Sequence, residues 1–141
     1  KENLSNILIK PYQPRHQLQE SLACSSLSII SMNPGVDSIV APSKLYGILA
    51  SKKPVLVIAS TNSSLSSIVR SSKCGETIAN GDPIALSRVI QHLAASPNLC
   101  ESMAENSLSL YEKNFSKEQA FAKYLDITHS TLPNPFHNTH S

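Results

Sequence analysis

Residues 33–55 read Asn-Pro-Gly-Val-Asp-Ser-Ile-Val-Ala-Pro-Ser-Lys-Leu-Tyr-Gly-Ile-Leu-Ala-Ser-Lys-Lys-Pro-Val, and they hold the side chains of this protein best placed to do chemistry. The apolar run at 27–32 predicts a strand, and Asn33-Pro34-Gly35 is a strong turn signal. Pro42-Ser43-Lys44 then opens a helix with Ser43 as its N-cap and Leu45, Ile48 and Leu49 as an apolar stripe. A helix entered from a strand points its first amides, which lack partners inside the helix, into the crevice at the strand end. With the helix dipole those amides form an anion site, most naturally for phosphate. Each exposed dipole contact contributes only ~0.3–1 kcal/mol, so the neighbours matter. Lys44 adds a mobile positive charge and the Ser43 hydroxyl a further donor. A plainer account also fits, in which Ser43 only caps the helix and Lys44 is solvated. Residue chemistry alone leaves both open.

Other candidates are weaker. The five His residues are scattered, and no His-Glu-x-x-His or Cys/His spacing occurs, so no metal site is expected. Cys24, Cys74 and Cys100 are far apart and odd in number, which fits thiols in a reducing cytosol rather than a disulfide framework. Ser is abundant, but no Gly-x-Ser-x-Gly elbow is present. The run Ser60-Thr61-Asn62-Ser63-Ser64 fits a helix cap and also hydroxyls offered to a polar ligand. Arg15, in the loop after the first apolar run, could stack on a base or hold a phosphate.

The elements that must position these residues alternate between strand and helix. Strands are expected at 6–10, 27–32, 55–59 and 75–79, the run Val-Leu-Val-Ile-Ala at 55–59 being central because no polar residue interrupts it. Helices are expected at 16–24, from 43, at 63–72, from Asp82-Pro83, from Ser96-Pro97 to about 113, and from a capping box at Ser116–Gln119. Four strands with three crossovers make an α/β fold: a Rossmann-like parallel sheet with helices on both faces. Ligands of such sheets bind outside the carboxyl ends of the strands.

Composition narrows the function classes. The 141 residues suffice for one domain, and 12 Lys and Arg against 10 Asp and Glu give a net charge of +2, which excludes a strongly basic nucleic-acid binder. No apolar run approaches the ~18 residues of a membrane span. The opening Lys-Glu-Asn-Leu-Ser-Asn has neither initiator Met nor signal-peptide core, so the chain is expected to begin partway into something longer.

Pro42-Ser43-Lys44-Leu45-Tyr46-Gly47-Ile48-Leu49-Ala50, followed by Lys53-Pro54-Val55, resembles the nucleotide-sugar segment of glycosyltransferase family 4. Tyr12-Gln13-Pro14-Arg15 before Leu18 and Leu22 is similar to the strand, loop and helix upstream in that family. Gly75, Gly81-Asp82-Pro83, Leu86, Leu93 and Phe115-Ser116 are similar to its C-terminal stretch. The resemblance covers roughly residues 6–127. It implies the second, donor-binding domain of the GT-B architecture, N-terminally truncated, at residues 1–127; the Thr, His, Pro, Asn and Ser that follow are read from composition as a disordered tail at 128–141.

Where many members carry a pair of glutamates across this loop and helix, Gly47 stands at the second position and Ile39 near the first, with Asp37 the nearest acid. The chain is therefore similar to the Pro-Ser-Lys-x-Tyr-Gly subgroup, found in some polysaccharide-assembly enzymes. The resemblance implies transfer of a hexosyl group from a nucleotide diphosphate sugar to a glycan or lipid-linked acceptor, in the cytoplasm, without metal or other cofactor. Gly35, Val36, Asp37, Pro42, Ser43, Lys44, Leu45, Tyr46 and Arg15 are the donor-binding candidates it implies, and no residue is assigned as catalytic. Tyr46 is read either as packing beneath the ribose or as core. The implied partners are the sugar donor and an N-terminal GT-B domain, with no nucleic acid, and peripheral membrane association of the parent enzyme through its acceptor. The family's Gly-rich loop and Arg/Lys clamp are expected upstream of Lys1, so this chain alone is expected to be inactive. The alternative is a non-catalytic Rossmann-like binding or interaction module left by truncation.

Overall fold

The structure, a computed structural model, describes residues 5–11, 14–35 and 43–131. Among them lies a parallel sheet of three strands in the order β1-β2-β3: β1 Ser28–Ser31, β2 Val55–Ile58 and β3 Gly75–Ile78. A 3-10 turn, Arg15–Gln17, leads into α1 Leu18–Ala23. Helix α2, Ser43–Ala50, joins β1 to β2, and α3, Ser64–Ser71, joins β2 to β3. Helices α4 Pro83–Ala94, α5 Pro97–Asn114 and α6 Lys117–Thr131 follow. The α/β, Rossmann-like reading of the sequence is therefore correct, with β2 in the middle.

The pairing registers Ser28 with Val55 and Val55 with Gly75. Side chains alternate along a strand, so Ile30, Val55 and Val57 share one face. Right-handed crossovers place α2 and α3 on that same face. Leu45, Ile48 and Leu49 of α2 and Leu65 and Val69 of α3 close there into one core with Ile30, Val55 and Val57. The other face carries Ile29, Leu56 and Ile78. Leu56 and Ile78 are buried, Ile29 is half exposed, and α4 and α5 both lie against β3. Coverage on both faces explains why β2 tolerates no polar residue.

Helix α5 locks the other end of the sheet. The hydroxyl of its buried Ser107 donates to the Lys53 carbonyl at 2.8 Å, just before β2, and Asn106 Nδ2 donates to the Lys73 carbonyl at 3.0 Å, just before β3. Leu110, Tyr111 and Phe115 continue along the core beside α2. Helices α2 and α5 are thus antiparallel, with Phe115 beside Tyr46 near the start of α2.

Two expectations need correction. Residues 7–11 form no strand, and Ile7, Leu8 and Ile9 are exposed. An apolar run becomes a strand only when a neighbour takes its backbone hydrogen bonds, and no described strand lies beside it. The described sheet therefore has three strands, not four. Ser43 is the first described helical residue of α2 rather than a cap before it, and Pro42 lies outside the described residues. Helix α6 runs to Thr131, and residues 132–141 lie outside the described residues.

Candidate functional site

Three helices begin at the carboxyl edge of the sheet, because α2, α3 and α4 each follow a strand of the same direction. Two of these starts are satisfied by their own side chains. Ser63 Oγ accepts the Ser66 amide at 3.1 Å at the head of α3, and Ser66 Oγ donates to the Ser60 carbonyl at 2.9 Å. The Asp82 carboxylate accepts the Ala85 amide at 2.8 Å at the head of α4. The cap at Ser63 fits the plainer reading of that serine run. An anion at α4 would meet the charge of Asp82.

The start of α2 differs. Its first turn contains Lys44, whereas the first turns of α3 and α4 hold no cation; none of the three contains an acid. Ser43 and Lys44 are both exposed, and among the described residues neither side chain is engaged. The amides of Ser43, Lys44 and Leu45 have no helical carbonyl four residues back within α2. Leu45 itself is buried in the core, so it can meet a ligand only through its backbone. Its burial has a positioning role: with Ile48 and Leu49 it fixes how α2 lies on the sheet, and hence where Ser43 and Lys44 project.

Tyr46 is half-buried, its ring 5.0 Å from that of Phe115 at an interplanar angle of 59°. The pair, with Tyr124 and Ile127 of α6, lines an apolar cavity of about 340 Å³ beside the start of α2. Nothing local in the sequence joins positions 46 and 115, so Phe115 was not foreseen as a site neighbour. At Gly47 the packing is tight: a Cβ there would lie 3.3 Å from Leu22 Cδ1 of α1, so a side chain would require Leu22 to give by a few tenths of an ångström.

Gly35 ends the turn that leaves β1, exposed and at φ +87°, a backbone conformation that glycine adopts without penalty. Arg15 opens the 3-10 turn before α1. Val36, Asp37 and Pro42 lie outside the described residues. The structure thus sets Ser43, Lys44, Leu45 and Tyr46 together on one helix turn, with Gly35 on the loop leading toward it. Among the described residues no three His, Cys, Asp or Glu side chains gather to hold a metal. No described helix is long and apolar enough to cross a membrane.

Comparison with known proteins adds one finding. The chain is 25% identical over 107 residues to a protein of Pseudomonas aeruginosa described as probable glycosyltransferase WbjE. The match covers 73% of this chain and 25% of that protein, so the chain spans about a quarter of its relative's length. No protein-family profile matches the chain, and no solved structure does.

Proposed function

We propose that this chain is the nucleotide-sugar-binding part of a glycosyltransferase, and that the start of α2 receives the diphosphate of the donor. The observation that carries this reading is the contrast among the three helix starts at the carboxyl edge. Those of α3 and α4 are occupied by Ser63 and Asp82, whereas the first turn of α2 presents the exposed Ser43 and Lys44, the residues before it lying outside the described ones. The likeness to a probable glycosyltransferase and the segment Pro42–Ala50 support the same class.

In this reading the amides and the Ser43 hydroxyl orient the diphosphate, and Lys44 balances its charge. Negative charge grows on the leaving diphosphate as the sugar departs, so the same groups bind more strongly in the transition state than in the ground state. The turn at Pro34-Gly35 faces the sugar. Acceptor groups come from a second domain, and a hexosyl group passes to a glycan or lipid-linked acceptor.

Few contacts, all partly exposed, must offset an association cost of ~4 kcal/mol or more. The isolated chain should therefore bind uridine or guanosine diphosphate sugars with a dissociation constant of roughly 1 mM or weaker, and transfer no sugar. Nuclear magnetic resonance titration tests this directly, since the largest amide shifts should fall at Ser43, Lys44 and Leu45. Shifts confined to the starts of α3 and α4, or none at tens of millimolar ligand, would overturn the reading.

A further inference from the structure

Asn80 follows β3, yet its side-chain Nδ2 donates to the carbonyl of Met32, the residue after β1, at 2.8 Å. Strand β2 lies between. Two strand spacings are about 10 Å, more than an asparagine reaches. The turn after β3 must therefore fold back over the end of β2, and Gly81 at φ +81° serves that turn. The peptides on either side of Met32 are both held, since its amide donates to the Ile58 carbonyl at 2.9 Å and its carbonyl accepts from Asn80. The next residues are Asn33, Pro34 and Gly35, where proline fixes φ and glycine takes φ +87°. The direction in which this turn leaves the sheet is accordingly set at Met32.

Resting on the donor reading above, we propose that Asn80 is a positioning residue for the donor loop: by anchoring the Met32 carbonyl it aims residues 33–35 across the carboxyl edge of the sheet toward the start of α2. An amide is required here. The atom facing the Met32 oxygen must be a donor, and aspartate, of nearly the same shape, would present an oxygen instead. Alanine is too short to reach.

The test uses the 141-residue chain with Asn80→Asp and Asn80→Ala, and two independent readouts. Without ligand, hydrogen exchange at the Met32 amide should accelerate about tenfold relative to the Leu56 amide, as for one lost hydrogen bond. Relaxation measurements should show lower order at Asn33 and Gly35. With uridine diphosphate as the probe, affinity read at Ser43, Lys44 and Leu45 should fall roughly three- to tenfold. Asp82→Ala, which removes the α4 cap two residues away without touching Met32, should leave that affinity within about twofold. Unchanged exchange and order at Met32, Asn33 and Gly35 would overturn the proposal. So would a loosened loop with unaltered affinity. Absence of any diphosphate-induced shift in the parent chain counts against the donor reading, and the exchange rates then decide alone whether Asn80 holds the loop.

Discussion

The Ser107 hydroxyl donates to the Lys53 carbonyl at 2.8 Å across 54 positions of sequence, from inside the core-facing side of α5. The Cys74 carbonyl lies 3.4 Å from the same oxygen. One serine thus reaches the backbone at the entries to both β2 and β3. Without that hydroxyl the half-buried Lys53 carbonyl loses its donor, while the Cys74 carbonyl keeps the Val55 amide at 3.1 Å. Ser107→Ala should therefore lower stability by about 1–3 kcal/mol, seen in urea unfolding as a lower midpoint with an unchanged slope. Ser102→Ala, on the exposed side of the same helix, should stay within about 0.5 kcal/mol. Equal midpoints for the two variants would mean that Ser107 does not clamp the sheet.

Gly75 should be less tolerant still. A Cβ at this position would lie 1.8 Å from the Val55 carbonyl oxygen, and neither strand backbone can move without breaking the ladder between β2 and β3. Gly75→Ala should cost about 3 kcal/mol or more, beyond the usual range for overpacking. A melting temperature equal to that of the parent would contradict the close approach of these strands.

Much of this architecture is legible from the residues because it depends on local pattern. Val55, Leu56 and Val57 have no exposed surface, and an apolar run uninterrupted by polar residues announces that directly. Asp82 before Pro83 marks the start of α4 by cap chemistry alone. Partnered features are different. The apolar periodicity of α4 is real, yet of Ile84, Ile90 and Leu93 only Leu93 is buried. Phe121, Tyr124, Leu125 and Ile127 of α6 are likewise exposed. Periodicity states that a helix has an apolar face, not that something covers it. The run at Ile7–Ile9 misleads for the same reason. Ser107 and Asn80 were invisible because their roles depend on carbonyls 54 and 48 positions away. At the candidate site, Ser43 through Tyr46 are neighbours in sequence and could be grouped at once, whereas the Phe115 ring beside Tyr46 required the fold.

Burial pushes the Cys74 thiol above its ordinary value, and this gives a signed pH dependence. Above roughly pH 8.5, the usual thiol value, the unfolded chain releases the Cys74 proton while the folded chain keeps it. The folded state then binds more protons, so stability is complete below that pH and declines as pH rises past it. Cys74→Ala should flatten this alkaline decline while lowering stability overall. At neutral pH, iodoacetamide should label exposed Cys24 readily and leave buried Cys74 unmodified until denaturant is added. Labelling of Cys74 in the native chain at the rate of Cys24 would show that the core is open there.

Lys44 gives the sharpest separation between a ligand-binding residue and a solvated one. Its side chain is exposed, so its attraction for a diphosphate acts partly through water and is screened over about 8 Å at physiological salt. Lys44→Ala should therefore weaken donor binding by roughly 1 kcal/mol, about fivefold, at low ionic strength. The loss should shrink as salt is added, because the parent's advantage is the part that salt screens. Uridine without phosphate should bind both forms equally, which separates the charge from any change in the shape of α2. Protein stability should hardly move, since Leu45, Ile48 and Leu49, not Lys44, hold the helix to the sheet. A titration series with uridine diphosphate and uridine at two salt concentrations covers these expectations in one experiment. If the two proteins bind the diphosphate alike at low salt, Lys44 is a surface residue of α2 and the diphosphate is held elsewhere.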